Sequence, residues 1–251
     1  MEERFVPAAP AEARPIETRA GDDLGGSASV AIADPRALHI LTTEHWSLLT
    51  ARSLVYNETF ARGGMFLAFL SATLLVLGLI STATGFSDAF LSVVAIVLAL
   101  DLFIGLASLG RISAASNEDI RYLQGMNRLR HAYHEIVPGL DPYFSSGRHD
   151  DMGSVLELYG PRDQSAFRGI AHGFTTMPGM IAVICAAVAG GLIAVLLLLA
   201  THDPFAAGIA GLAAFVAFVV IGAAIARRAV LNFVASMESR FPAPDGKSPR
   251  I

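Results

Sequence analysis

Long uncharged apolar runs alternate with polar stretches along this chain. Residues Gly63–Ser87, Gly173–His202 and Pro204–Ala226 contain no Asp, Glu, Lys or Arg, and Ala89–Gly110 contains one, Asp101. A bilayer core about 30 Å thick needs roughly 20 residues of helix, so each run predicts one membrane span. The spans fall at 64–82, 89–110, 177–200 and 205–226, joined by the short connections Ser81–Asp88 and Thr201–Asp203. Asp88 and the pair Asp203-Pro204 stand where the second and fourth spans start and are expected to cap them. Gly64-Met65 with Arg111, and Gly179-Met180 with Arg227, bracket two hairpins of nearly equal length. The expected fold class is therefore all-α: a polytopic membrane protein with four transmembrane helices arranged as two hairpins, carrying helical extensions.

Those extensions show in the polar stretches. Asp34-Pro35 offers a helix cap followed by proline at the first helical position, and Thr42 or Thr43 offers a second start. Trp46, Leu49, Ser53, Tyr56 and Phe60 recur at spacings of three and four, which predicts a semi-apolar helix face over 34–62. That helix is expected to run past Arg62 into the first span. Within 111–176, Ser116-Asn117-Glu118-Asp119 reads as a helix start with acidic first-turn residues. Tyr122, Met126, Leu129, Tyr133 and Ile136 follow at helical spacing, and Pro138-Gly139 ends the pattern. A turn-rich stretch over 139–151 leads to a short apolar run, Val155–Tyr159, the breaker Gly160-Pro161, and a short polar helix from about Asp163. Residues 1–33, rich in Pro, Glu and Ala, predict a disordered acidic tail. Residues 227–251 predict a second polar tail.

Composition agrees with the pattern: 53% of the residues are hydrophobic and 16% charged, where soluble domains carry about 25% charged residues. Charge then adds a direction. All 18 Lys and Arg residues lie in Arg4–Arg62, Arg111–Arg168 or Arg227–Arg250, and none lies in the two short connections. Basic residues near span ends mark the cytoplasmic side, and Arg62, Arg111, Arg168, Arg227 and Arg228 all qualify. Both termini and 111–176 are therefore expected in the cytoplasm, with the chain in a bacterial plasma membrane. The single cysteine, Cys185, excludes an internal disulfide and reads as a small packing residue.

Candidate chemistry is sparse. Asp101 is the one ionisable side chain within a span. It lies nine residues from Gly110, about 13 Å deep at 1.5 Å per residue, close to the midplane. An aspartate there costs roughly 2.5–3.5 kcal/mol on insertion scales and must face protein or water. Ser71 and Cys185 lie at similar depth, while Gly105 and Ser108 share its helix face. Asp101 with Ser71 is thus the candidate intramembrane polar site. It reads either as a proton or cation site or polar gate, or as a hydrogen-bonded contact holding helices together, a device worth about 0.6 kcal/mol on average. Small residues four apart, among them Gly64/Ala68/Ala72, Ala186/Gly190 and Gly222/Ala226, suit close helix contacts within or between subunits. His131, His134 and Glu135 with His149-Asp150-Asp151 have metal-ligand chemistry, but the order H-A-Y-H-E matches no metallohydrolase signature, and exposed polar residues are the expected outcome. No catalytic residues, metal or cofactor are expected. Phosphate loops and basic stripes with interleaved aromatics are absent, so nucleic acid is not an expected partner.

The stretches T-T-E-H-W-S-L-L-T-A-R-S-L-V-Y-N-E (Thr42–Glu58), R-Y-L-Q-G-M-N-R-L-R-H-A-Y (Arg121–Tyr133) and R-H-D-D (Arg148–Asp151) resemble a family of uncharacterised bacterial four-pass integral membrane proteins. The layout over about 36–137, helix, hairpin and returning helix, is also loosely similar to SLATT-type membrane effectors, a class associated with pores. The first resemblance implies a polytopic inner-membrane protein, and the second implies pore formation. Together these features lead us to expect a non-enzymatic integral membrane protein, oligomeric, with an ion or proton path near Asp101. The alternative expectation is a membrane scaffold that recruits cytoplasmic partners through 111–176.

Overall fold

Helix continuity across the membrane boundary sets the architecture. The computed structural model describes residues 34–156, 173 and 175–244. The expected tail over 1–33, the helix from about Asp163 and the residues from 245 onward lie outside that range. α1 spans Ala37–Thr84 and α2 spans Asp88–Ile136, 48 and 49 residues without a break. At 1.5 Å per residue each is about 72 Å long, more than twice the thickness of a bilayer core. A 3₁₀ turn, Asp141–Tyr143, and the short helix α3, Met152–Leu156, follow. α4, Met177–Thr201, and α5, Pro204–Ser236, complete the fold. All four long helices are long and apolar enough to cross a membrane, and no strand occurs among the described residues. The chain is an all-α polytopic membrane protein.

α1 and α2 pack antiparallel along their whole length. On α1 the contacts recur at helical spacing: Leu48, Arg52 and Val55, then Phe66, Leu70, Thr73 and Leu77. Beyond the spans the two helices form a stalk, made of 37–62 and 111–136. α2 also packs against α4, and α4 against α5. The α4–α5 crossing is close because it is built on glycine: a Cβ on Gly190 would lie 2.7 Å from the Gly211 carbonyl oxygen. This uses Ala186/Gly190 inside one subunit, as small-residue spacing allows.

Several local expectations are corrected. No helix starts at Ser116: its hydroxyl donates to Ile112 O in mid-helix, and Glu118 and Asp119 pair with arginines instead of capping. Thr42 and Thr43 likewise donate to carbonyls four residues back and start nothing. Asp203 caps α5 as expected, accepting from Phe205 N and Ala206 N, but α2 is capped by Ser87, with Asp88 in its first turn. Asp34 forms a turn with Arg36 and does not cap α1. The expected tail from 227 is helical as far as Ser236. Of the expected α1 face, Trp46, Leu49, Ser53 and Phe60 are exposed and turned from α2, while the Tyr56 hydroxyl reaches α2 and donates to Asp119. The packed face carries His45 and Arg52, whose polarity hid it from hydropathy.

Candidate functional site

Two polar sites stand out, one within the spans and one on the stalk. In the first, Asp101 is 0% exposed. Its Oδ1 accepts a long hydrogen bond, 3.4 Å, from the Thr73 hydroxyl of α1. Its Oδ2 has no partner among the described residues. One turn along α2, Gly105 lets α1 and α4 close in. A Cβ there would lie 2.7 Å from Cys185 Sγ and 2.8 Å from Phe66 Cζ. Phe66, Ile112, Ile181 and Cys185 form the adjoining buried cluster, so Asp101 sits beside a three-helix junction.

Ser71, the expected partner of Asp101, is placed elsewhere. Its side chain is exposed and its hydroxyl donates to Leu67 O of its own helix at 2.7 Å. The reason is azimuth. Counting residues gives depth, but two residues turn a helix by about 200°, so Thr73 faces α2 and Ser71 does not. Cys185 does reach the junction, as depth alone suggested.

The second site was not expected. Asp150 is also 0% exposed, and its carboxylate fastens the chain's C-terminal region to α2. Oδ1 accepts from Ser239 Oγ at 2.6 Å and Phe241 N at 2.8 Å; Oδ2 accepts from Arg128 Nε at 2.7 Å and Arg240 N at 2.9 Å. The backbone continues the clasp, since Asp150 N donates to Phe241 O. Gln124 Nε2 and Arg128 Nη2 both donate to Glu238 O, and Asn127 Nδ2 donates to His149 O. The Phe241 ring stacks on His131 with centroids 4.1 Å apart. Burial alone would raise the Asp150 carboxyl, but the donors from Arg240, Ser239, Arg128 and Phe241 outweigh it and hold the group below its ordinary range. Asp151 accepts from Ser154 N and so caps α3, and it also receives Ala243 N. The expectation that Asp150 is an exposed polar residue is thus overturned.

The stalk helices are pinned by ion pairs near the first span. Arg111 of α2 donates from Nε and Nη2 to the two oxygens of Glu58 at 2.9 and 2.8 Å, and from Nη1 to Glu118 at 3.0 Å. Arg62 adds a bond to Glu58. The Arg111 and Arg62 donors hold the Glu58 carboxyl down to about 2. Further out, Arg52 of α1 donates to Asp119 of α2 at 2.6 Å.

The histidines diverge. His131 Nε2 lies 3.3 Å from Glu135, and His134 Nε2 lies 3.0 Å from Asp141. Among the described residues no three His, Cys, Asp or Glu side chains are grouped to hold a metal. A sequence signal for the clasp did exist: Gln124, Asn127, Arg128 and His131 share one face of α2, opposite the predicted apolar face. Three of the four keep polar atoms where only a docked segment can satisfy them.

Fold and sites define a four-helix membrane protein with a long helical stalk and a docked C-terminal segment. Comparison with protein-family models, curated proteins and solved structures gives no match.

Proposed function

We propose that the chain is a non-enzymatic, oligomeric membrane scaffold of the bacterial plasma membrane, with both termini and the stalk in the cytoplasm. The clasp at Asp150 carries this reading. It ties α2, the 148–151 turn and the segment after α5 into one rigid polar assembly on the stalk side, where Arg62, Arg111, Arg227 and Arg228 also lie. Rigid display of a folded surface next to a membrane is what recruitment of cytoplasmic partners requires. Within the spans, Asp101 is fully buried beside the packed cluster of Phe66, Ile112, Ile181 and Cys185.

A second reading rests on one observation, the buried and unpartnered Oδ2 of Asp101. A carboxyl oxygen with a spare acceptor position beside a helix junction suits a proton or cation path. Purified protein in liposomes with an internal pH-sensitive dye separates the two. A scaffold gives proton and potassium flux equal to empty liposomes from about pH 5.5 to 8. A path gives flux above that level, reduced at least tenfold by Asp101→Asn. Flux of that kind would replace the scaffold reading.

A further inference from the structure

The seam of the stalk holds a cation that no acid answers. On α2, Asp119, Leu123, Met126, Arg130 and Tyr133 recur at spacings of four and three, the stripe of a helix packed along a partner. Four of the five meet α1. Asp119 binds Arg52, Leu123 and Met126 pack with Leu48, and Tyr133 donates to Leu41 O beside the His45 ring. Arg130 fills the remaining position, at the level of His45. It is partly buried, and no carboxylate pairs with it among the described residues.

The guanidinium is nevertheless aimed. Its Nη1 donates to Asn127 Oδ1 at 2.6 Å. Asn127 is fully buried and its Nδ2 donates to His149 O at 2.8 Å, which fixes the amide with its oxygen toward Arg130. The Nε–Nη2 edge of Arg130 is left without a partner among the described residues. Two parallel N–H donors on that edge match a carboxylate or a phosphate. His45 Nδ1 is buried and likewise lacks a partner. The surroundings are positive. Burial and then the Arg52 charge push the Arg130 guanidinium below its ordinary value, and burial and then the Arg130 charge do the same to His45. Water satisfies hydrogen bonds in such a place but leaves the charge uncompensated.

We infer that Arg130 and His45 form a binding site for a small soluble oxyanion of phosphate or carboxylate type, held in the stalk between α1 and α2. The Nε–Nη2 edge takes two of its oxygens, as the same edge of Arg111 takes the two oxygens of Glu58. A lipid headgroup is out of reach: Arg130 lies nineteen residues beyond Arg111, about 28 Å along the helix at 1.5 Å per residue. The site stands apart from the scaffold and path readings, and through Asn127 it adjoins the turn that the clasp holds.

Full-length protein in nanodiscs of zwitterionic lipid, equilibrated with radiolabelled inorganic phosphate in Tris-chloride buffer, tests it. The wild type is expected to bind about one phosphate per chain, saturably, at millimolar concentration or below. Arg130→Gln removes the charge while keeping an amide donor for Asn127, and is expected to weaken binding at least tenfold. Arg130→Lys keeps the charge without the paired edge and guards against misfolding of the first variant; at least a threefold loss is expected. Arg228→Gln, at an exposed arginine on the membrane-proximal part of α5, is expected to stay within twofold of the wild type. Absence of saturable binding to the wild type would overturn the site, as would wild-type affinity in either variant at position 130. A larger loss in Arg228→Gln than in Arg130→Gln would put the phosphate at the membrane edge and overturn it as well.

Discussion

Asp150→Ala is expected to free Glu238–Ala243 from the stalk while the four long helices stay in place. The carboxylate accepts four bonds and is fully buried, so its removal strands the Arg240 and Phe241 amides and the Arg128 guanidinium at once. Breaking one side of a buried, hydrogen-bonded charge costs about 3 kcal/mol or more, which is roughly a 100-fold change in the local opening equilibrium. Hydrogen exchange at the Arg240 and Phe241 amides reads this directly, as does protease cutting between Met237 and Ala243. Arg128→Ala removes two bonds, one to Asp150 and one to Glu238 O. It should have a smaller effect, because Asp150 keeps its three other donors and Glu238 O keeps its bond from Gln124. The pH dependence has a definite sign. The carboxyl is held below its ordinary value of 3.8, so the clasp is at full strength above that value. It weakens as pH falls through the lower folded value. Exchange at Arg240 should be unaffected by protonation of Asp150 between pH 8 and 5 once the intrinsic rate is divided out. The segment should open only in acid below about pH 4.

Gly105→Leu is expected to prevent proper closure of the three-helix junction. Even the Cβ of an alanine would lie 2.7 Å from Cys185 Sγ and 2.8 and 2.9 Å from two atoms of the Phe66 ring. Both neighbours are enclosed, with Phe66 1% and Cys185 0% exposed, so neither has room to withdraw. Overpacking of this kind costs about 1–3 kcal/mol for the smallest addition and more for a leucine. Thermal unfolding of the detergent-solubilised protein should show Gly105→Ala destabilised and Gly105→Leu largely misfolded. Gly110→Ala, where the added carbon meets nothing, should be neutral or stabilising, as replacing a helical glycine usually is. Adding Cys185→Ala should recover part of the Gly105→Ala loss, since one of the clashing atoms is then gone. Strict additivity of the two substitutions would mean that they do not touch.

Membrane architecture was legible because it is written in long-range composition. Four uncharged runs need no tertiary knowledge to interpret, and the spans fall within the helices observed. Residue counting brought α1, α2 and α4 to one region, where Thr73 meets Asp101 and Cys185 meets Gly105. Azimuth was not legible. The α1 face that packs on α2 includes His45, Arg52 and Thr73, whose partners Tyr133, Asp119 and Asp101 lie 28 to 88 residues away. A hydropathy pattern ranks such positions as exposed, and so it chose Trp46 to Phe60 instead. The apparent helix start at Ser116 failed for a related reason. Glu118 and Asp119 are satisfied by arginines on the partner helix and on the preceding turns, so the helix runs straight through them. Asp150 was the hardest to foresee, because its four donors include residues 89 to 91 positions later in the chain.

Sidedness is the property on which a cytoplasmic scaffold most depends, and cysteine accessibility measures it directly. Phe86, in the α1–α2 connection, and Tyr143, beside the stalk, are both strongly exposed and lie on opposite sides of the spans. A membrane-impermeant maleimide added to intact cells should label Phe86→Cys from outside and leave Tyr143→Cys unlabelled until the membrane is permeabilised. Labelling of Tyr143→Cys in intact cells, with Phe86→Cys protected, would put the stalk and the clasped C-terminal segment outside the cell and contradict the cytoplasmic scaffold.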